Sequence, residues 1–442
     1  MSVTNKQILK TWWPLAASWL LMGFESPLIS AILARLQGAE INLAAYGGII
    51  MPLSFIVEAP IIMLLSASTA LCKDMPSYRK IFKFMMITGF ALTVLHILIA
   101  FTPLYYVVVR NIIGSPEAII EPARIGLMIM TPWTWAIGYR RFQQGVMIRY
   151  NNSQAVWVGT VVRLVTLSVI LMIGYSIGTI GGVAVGTAAQ ALAVIAEAVY
   201  NGLRVRPVIR KYLVNAPEVE PLTWKAFFNF YIPLVMTSFI TLIWQPIGSA
   251  ALSRMPRAVE SLAVWQVMSG LLSIFRSPGT ALNEVVVAMI EKQGAFRKLQ
   301  RFAVRLGVIS TGVQLVFIIT PLSLLWFQYV SAITPPLIAL AKSAFWFAVP
   351  LPALSVLQSW YQGAILSSKK TRSITESVMI FLAVIILVLF GGVAWGKTTG
   401  LYFAIIGMVL GVGAQVLWLF SRSRNYMRLA AASDSEPEQA TA

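Results

Sequence analysis

Apolar runs of about twenty residues or more, separated by short polar breaks, recur along the whole chain. A helix needs about 20 mainly apolar residues to cross a bilayer. That rule predicts about twelve spans: 11–35, 42–71, 82–109, 123–143, 154–175, 179–202, 226–252, 259–290, 304–330, 336–365, 373–395 and 399–421. The expected fold is therefore an all-α membrane protein, and the longer runs are expected to tilt or kink. The only long polar break, 203–225 (LRVRPVIRKYLVNAPEVEPLTWK), reads as a cytoplasmic linker. It separates an N-terminal six-helix lobe, 1–202, from a C-terminal one, 226–422. The small, polar and acidic end, 423–442, reads as a disordered cytoplasmic tail.

Composition supports the pattern. The 442 residues are 58% hydrophobic and 11% charged, whereas a soluble domain carries roughly a quarter charged residues. The basic start, Met1 to Lys10, runs into an apolar stretch too long for a signal peptide and without a small-residue cleavage site, so that stretch reads as the first span. The formal charge of +18 would suit nucleic acid, but its distribution argues against such a partner. One alternating set of breaks holds most of the cations, among them Lys73, Arg79, Arg140, Arg141, Arg204, Arg206, Lys292, Arg297, Lys369 and Arg422. The opposite set holds only Arg35, Arg110, Arg124, Arg254, Arg257, Lys342 and Lys397. Cations concentrate on the cytoplasmic side, so both termini and the linker are expected there, in a plasma membrane of bacterial inner-membrane type.

The chain also repeats itself. Pro14 matches Pro233 and Pro27 matches Pro246 at an offset of 219. Pro60 matches Pro278, Pro132 matches Pro350, and Gln144-Gly145 matches Gln362-Gly363 at an offset of 218. Between these landmarks ISAILARLQGAEINLAAY aligns without gaps on GSAALSRMPRAVESLAVW. Equivalent positions lie six spans apart, so the halves share one orientation. A parallel repeat of this kind places substrate near the midplane between the halves. Tyr46 and Trp265, which are repeat mates, read as aromatics at the outer interface.

Twelve spans in two parallel halves resemble the multidrug/oligosaccharidyl-lipid/polysaccharide (MOP) exporters, the superfamily of MATE transporters and lipid-linked saccharide flippases. QQGVMIRYNNSQAVWVGTVVRL and YQGAILSSKKTRSITESVMIF are similar to the loops into its fifth and eleventh spans. HILIAFTPLYYVVVRN and FYIPLVMTSFITLIWQPI resemble the third and seventh spans of the progressive ankylosis (ANK) family. The resemblance implies export of organic ions or drugs by a monomer; for the ANK family it implies small anions.

Few residues offer chemistry. One cysteine, Cys72, excludes an intramolecular disulfide, and the single histidine, His96, argues against a His/Cys metal centre. There is no Walker loop, GxSxG elbow or HExxH motif. Neither an enzyme nor an ATP-driven pump is expected, and no cofactor or metal.

The informative residues are ionisable groups inside spans, which are costly and usually face a cavity or a partner. Glu25 and Glu58 each lie 14 residues from the cytoplasmic ends of adjacent antiparallel spans, a depth of about 21 Å. Each stands two residues before a proline, Pro27 or Pro60, and a proline frees backbone carbonyls in the turn before it. Two close carboxylates in low dielectric do not both ionise cheaply, so one is expected to hold a proton or share a cation. Glu25 and Glu58 are therefore candidates for coupling to H⁺ or Na⁺; the alternative is a structural polar pair. Arg276 occupies the repeat position of Glu58 and is the first candidate for an anionic substrate, since Arg remains ionised when buried. It could instead bridge to Glu58, or pair locally with Glu284. Arg163 either faces the cavity or pairs with Glu25 or Glu58. Trp244, Gln245, Asn283 and Glu284 complete the candidate substrate set.

MATE drug exporters concentrate acids for cationic substrates, whereas this set mixes acids with arginines. The reading reached is a secondary active antiporter, exporting a small organic anion by alternating access. The alternatives are a cationic-drug exporter of MATE type and a flippase for a lipid-linked precursor.

Overall fold

In hydrocarbon a backbone must satisfy its own N–H and C=O groups, so each apolar run folds as a helix. The computed structural model describes residues 3–150, 152–214, 216, 221–290, 292, 294–367 and 372–433, and among them every regular element is helical. In chain order the principal helices are α1 (Asn5–Leu33), α2 (Ala39–Leu71), α3 (Met75–Phe101), α4 (Glu117–Arg149), α5 (Ser153–Ile177), α6 (Gly182–Leu213), α7 (Trp224–Ser253), α8 (Ala258–Met289), α9 (Phe296–Ile319), α10 (Pro335–Phe347 with Leu351–Ser367), α11 (Arg372–Trp395) and α12 (Gly400–Ser433). Ten are individually long and apolar enough to cross a membrane, and the two parts of α10, bent by 43°, together make another span. The remaining helix, α4, has 33 residues but carries Glu117, Glu121, Arg124, Arg140, Arg141 and Arg149. The protein is thus an integral membrane protein whose helix order matches the expected twelve spans.

Proline explains two of the breaks. α1 is interrupted at Phe24 and resumes at Glu25. Pro27 cannot donate to Gly23, four residues back, and its ring crowds that carbonyl. In α10 the bend falls at Pro350, whereas its repeat mate Pro132 lies inside uninterrupted α4. The same proline landmark therefore bends one half and only loosens the other.

Arginines close helix ends on the side opposite the main basic loops. Arg124 donates to the last carbonyls of α3, Ala100 and Phe101, each at 3.1 Å. Arg254 at the end of α7 donates to Ala250 at 2.7 Å, Ile112 at 2.6 Å and Ile113. Cations at helix C-termini satisfy orphan carbonyls and favour the dipole.

The helices pack into two compact units, Leu28–Gln266 and Met1–Pro27 with Val267–Ala442. Their limits differ from the lobes expected at 1–202 and 226–422: α7 packs with α2–α6, and most of α1 packs with α9–α12 and the rest of α8. Within the Leu28–Gln266 unit α7 lies along α2, where Tyr231 donates to the carbonyl of Pro60 at 2.5 Å. The other unit has a core of Ile8, Leu282, Val286, Phe296, Leu299 and Trp360, and the Trp12 indole donates to the Pro278 carbonyl at 3.0 Å.

The repeat reappears as contacts. A Cβ on Gly145 of α4 would run into the Leu65 carbonyl and Ser68 of α2. A Cβ on Gly363 of α10 would run into the Asn283 carbonyl and Val286 of α8. All three pairings are repeat mates at the offset of 218 read from the sequence. A further correspondence follows at the same offset: Gly159 lies against Glu197, while Ser377 accepts a hydrogen bond from Gln415 at 3.2 Å.

Two boundaries move. The break expected at 203–225 is narrower, because α6 continues to Leu213 and α7 starts at Trp224; the basic residues 204–211 extend the helix beyond its apolar run. The tail expected to be disordered from 423 is helical through Ser433, where Arg, Met, Leu and Ala favour helix. Residues 434–442 lie outside the described residues.

Candidate functional site

The most concentrated polar chemistry in the Leu28–Gln266 unit is a buried group of charges from α2, α4, α5 and α6. Arg140 and Gln144 are four residues apart on α4, so they share a face. Both reach Glu197 of α6: Arg140 Nη1 donates to Oε2 at 2.6 Å and Gln144 Nε2 to Oε1 at 2.9 Å. Arg163 of α5 brings its Nε to 3.5 Å from the same Oε2. Arg140, Gln144, Arg163 and Glu197 are all buried. Two hydrogen-bond donors from α4 and a second guanidinium from α5 thus converge on one carboxylate, which is how an ion pair withstands removal from water.

Glu58 of α2 differs. It is buried, but its Oε2 accepts no hydrogen bond from any described residue. Arg141 and Arg140 are the charges that act on it. Arg141 is in turn subject to Arg140, Glu58, Arg163 and Glu197. Three guanidinium groups therefore face two carboxylates, an excess of cation when all are ionised. Such a group can hold an added anion, and it contains one carboxylate, Glu58, that is free of hydrogen bonds at one oxygen.

Sequence reasoning found Glu58 and Arg163 but missed the rest. Arg140 and Arg141, at the end of the predicted span 123–143, read as cytoplasmic because they fall in the basic set of breaks, whereas α4 continues to Arg149 and buries Arg140. Glu197 was legible as the only acid within the predicted span 179–202, and the rule for intramembrane charges should have found it. Arg163, expected either to face the cavity or to pair with Glu25 or Glu58, forms an ion pair with Glu197, a partner the sequence did not suggest.

The second half has no such group at the equivalent positions. Glu197 corresponds to Gln415, Arg140 to Gln358 and Arg163 to Phe381 at the offset of 218. Its polar feature is Arg276 on α8, whose Nε donates to Ser355 of α10 at 2.8 Å. The local pair with Glu284 is not formed; Glu284 instead takes a hydrogen bond from Trp19. Eight residues along a helix leave the two side chains more than two turns apart. Asn283 packs its backbone against Gly363, so its main chain serves the α8–α10 crossing. Glu25 opens the second segment of α1, where the helix dipole favours an acid.

The remaining candidates are aromatic or amide. Trp244 packs edge-to-face on Trp265 at 5.8 Å within α7 and α8, and Gln245 beside it is half-buried. Tyr46, expected at the membrane interface, is buried. The expected set therefore divides: Glu58, Arg163, Trp244 and Gln245 belong to the Leu28–Gln266 unit, and Glu25, Arg276, Asn283 and Glu284 to the other. His96 is occupied structurally. Its Nε2–H donates to the Leu127 carbonyl at 3.0 Å, leaving Nδ1 to accept from the Thr134 hydroxyl at 2.8 Å.

No protein-family model matches the sequence, and no curated protein matches it. Solved structures do match in fold. An inward-facing MATE multidrug resistance transporter of the MOP superfamily superposes with a TM-score of 0.73 at 13% identity, over 93% of this chain and 96% of that one. The lipid II flippase MurJ in an inward closed conformation gives 0.70 at 15% identity, over 95% and 90%. A MOP-superfamily transporter from Pyrococcus furiosus, described as having a binding pocket of reversed polarity that suggests a different function, gives 0.63 at 14%, over 98% and 99%. Over nearly its whole length the chain has the fold of these transporter structures.

Proposed function

We propose that the protein is a secondary active transporter that exports a small organic anion by alternating access, driven by H⁺ or Na⁺. The observation that carries this reading is the buried group of three arginines against two glutamates in the first half, with Glu58 lacking a hydrogen bond at Oε2. Glu197 is committed to its donors, so Glu58 is the carboxylate left to exchange a proton or take a cation. Arg141 is the candidate guanidinium for the anion in the Leu28–Gln266 unit, and Arg276 is the separate candidate in the other unit. An anion that binds one conformation better than the other shifts the equilibrium by that difference in affinity.

The fold shared with multidrug and lipid II transporters supports transport in general. The ANK-like passages and the cationic excess support an anion as cargo. The reversed polarity described for the Pyrococcus furiosus relative offers a parallel for a departure from cationic drugs within this fold. The second reading, a flippase for a lipid-linked anionic precursor, draws on the similarity to MurJ. In both readings the protein lies in a plasma membrane with its termini in the cytoplasm.

Gradient-driven uptake of radiolabelled organic anions into proteoliposomes tests the proposal. Saturable uptake that depends on a pH or Na⁺ gradient is the expected result. Translocation of a lipid-linked anion with no uptake of soluble anions would replace it by the flippase, and uptake of cationic drugs alone would replace it by a drug exporter.

A further inference from the structure

The beginnings of α1 and α9 enclose a second basic site in the Met1–Pro27 and Val267–Ala442 unit. Lys298, Arg301 and Arg305 lie three and four residues apart along α9, and so share one face. With Phe302, and with Asn5 and Leu9 of α1, they line a cavity of about 260 Å³. This is just below the range of pockets for drug-sized ligands, about 300–1,000 Å³, and suits a small group. No acidic residue lines it.

The cations here are not neutralised. Lys298 donates to the Val3 carbonyl at 2.7 Å, which uses one of its three protons and ties the start of the chain to α9. Arg301 and Arg305 form no hydrogen bond or ion pair with any described residue. The apolar side of the cavity is firm, because Phe302 meets Trp12 edge-to-face at 5.6 Å. Leu9 and Trp13 on the adjoining turns are exposed. The site therefore presents guanidinium groups beside an apolar surface at the end of two membrane helices. Basic pockets between spanning helices at a membrane surface take anionic lipid headgroups, and Arg matches phosphate oxygens in pairs.

We infer that this cavity binds a phosphate group, supplied by the headgroup of an anionic membrane lipid. The lipid's ester-linked phosphate sits against Arg301, Arg305 and Lys298, and its chains run over Leu9 and Trp13.

Native mass spectrometry of the full-length protein with phosphatidylglycerol or phosphatidylcholine tests the inference. Arg301→Gln with Arg305→Gln is expected to weaken phosphatidylglycerol retention roughly five-fold per residue removed, with phosphatidylcholine unchanged. Arg301→Lys with Arg305→Lys is expected to restore most of the retention. If the double glutamine variant does not fold, the two single variants each carry the five-fold test. Displacement of the lipid by millimolar inorganic phosphate would assign the site to free phosphate rather than lipid. Equal phosphatidylglycerol retention by the wild type and the glutamine variants would overturn the inference.

Discussion

A Cβ placed on Gly363 would stand 3.1 Å from the carbonyl oxygen of Asn283, and 218 residues earlier Gly145 meets the carbonyl of Leu65 still more closely. At each crossing the backbone of one helix lies where a side chain would otherwise be. Small residues let membrane helices approach in this way. Gly145→Ala and Gly363→Ala are both expected to destabilise by about 1–3 kcal/mol through overpacking. Gly145→Ala should be the more costly, since the carbonyl it meets is nearer. Thermal unfolding of purified protein in detergent measures both; a silent Gly145→Ala would remove the close approach as the reason for the repeated glycine.

Glu197 holds the buried charge group together, so its loss should cost more than a surface ion pair would. Glu197→Gln leaves the buried Arg140 without its carboxylate, and breaking a buried pair from one side costs about 3–5 kcal/mol. The double variant Arg140→Gln with Glu197→Gln should recover part of that loss. A double-mutant cycle reads the coupling directly; additive losses would mean that the 2.6 Å contact contributes nothing specific.

Glu58→Gln should behave differently. Glu58 lacks a hydrogen bond at Oε2, so the amide removes a titratable group while the fold keeps nearly its full thermal stability. Gradient-driven transport should lose its pH or Na⁺ dependence while counterflow of the anion continues. Unchanged ion dependence would transfer the coupling role away from Glu58.

Arg276 and Ser355 are expected to act as a unit. Arg276→Ala should lower anion affinity by ten-fold or more, the scale of a lost charge-assisted hydrogen bond of about 1.5–3 kcal/mol. Ser355→Ala should have a smaller effect in the same direction, because it releases the Nε that Ser355 holds at 2.8 Å. Affinity from counterflow concentration curves checks both, and full affinity in Arg276→Ala would take this arginine out of the site.

Cys72 follows α2 and is buried. Burial pushes its thiol far above the ordinary thiol range; nearby Arg149 opposes this and Asp74 adds to it. The folded state thus keeps the proton after the unfolded chain has lost it. The contribution to stability is present below the unfolded thiol's value, about 8.5, and falls as pH rises above it. Maleimide labelling at neutral pH should be slow in the folded protein and fast after denaturation. Rapid labelling of the folded protein would contradict the burial.

The sequence by itself determined the helix count, the order of the spans and the repeat. These follow from length of apolar run, from the distribution of cations, and from prolines and glycines whose backbone effects are local. The approach of Gly145 to α2 was written in the Gln-Gly landmark, though its cause was not visible. Tertiary structure decided which charges meet. Glu197, Arg140 and Arg163 lie on three helices and far apart along the chain, and only packing brings a carboxylate to two guanidinium groups and an amide. It also decided where burial ends: Arg140 stands at the cytoplasmic end of its predicted span, yet α4 carries it inside, where Glu197 offsets the cost. The pairing of Glu58 with Arg276 by repeat position rested on symmetry alone. What the structure assigns to each is a local partner set: Arg140 and Arg141 near Glu58, and Ser355 on Arg276. Equivalent backbones recur because close helix crossings depend on small residues at fixed spacing. The charges do not recur, because each ionised side chain inside a membrane needs its own partner.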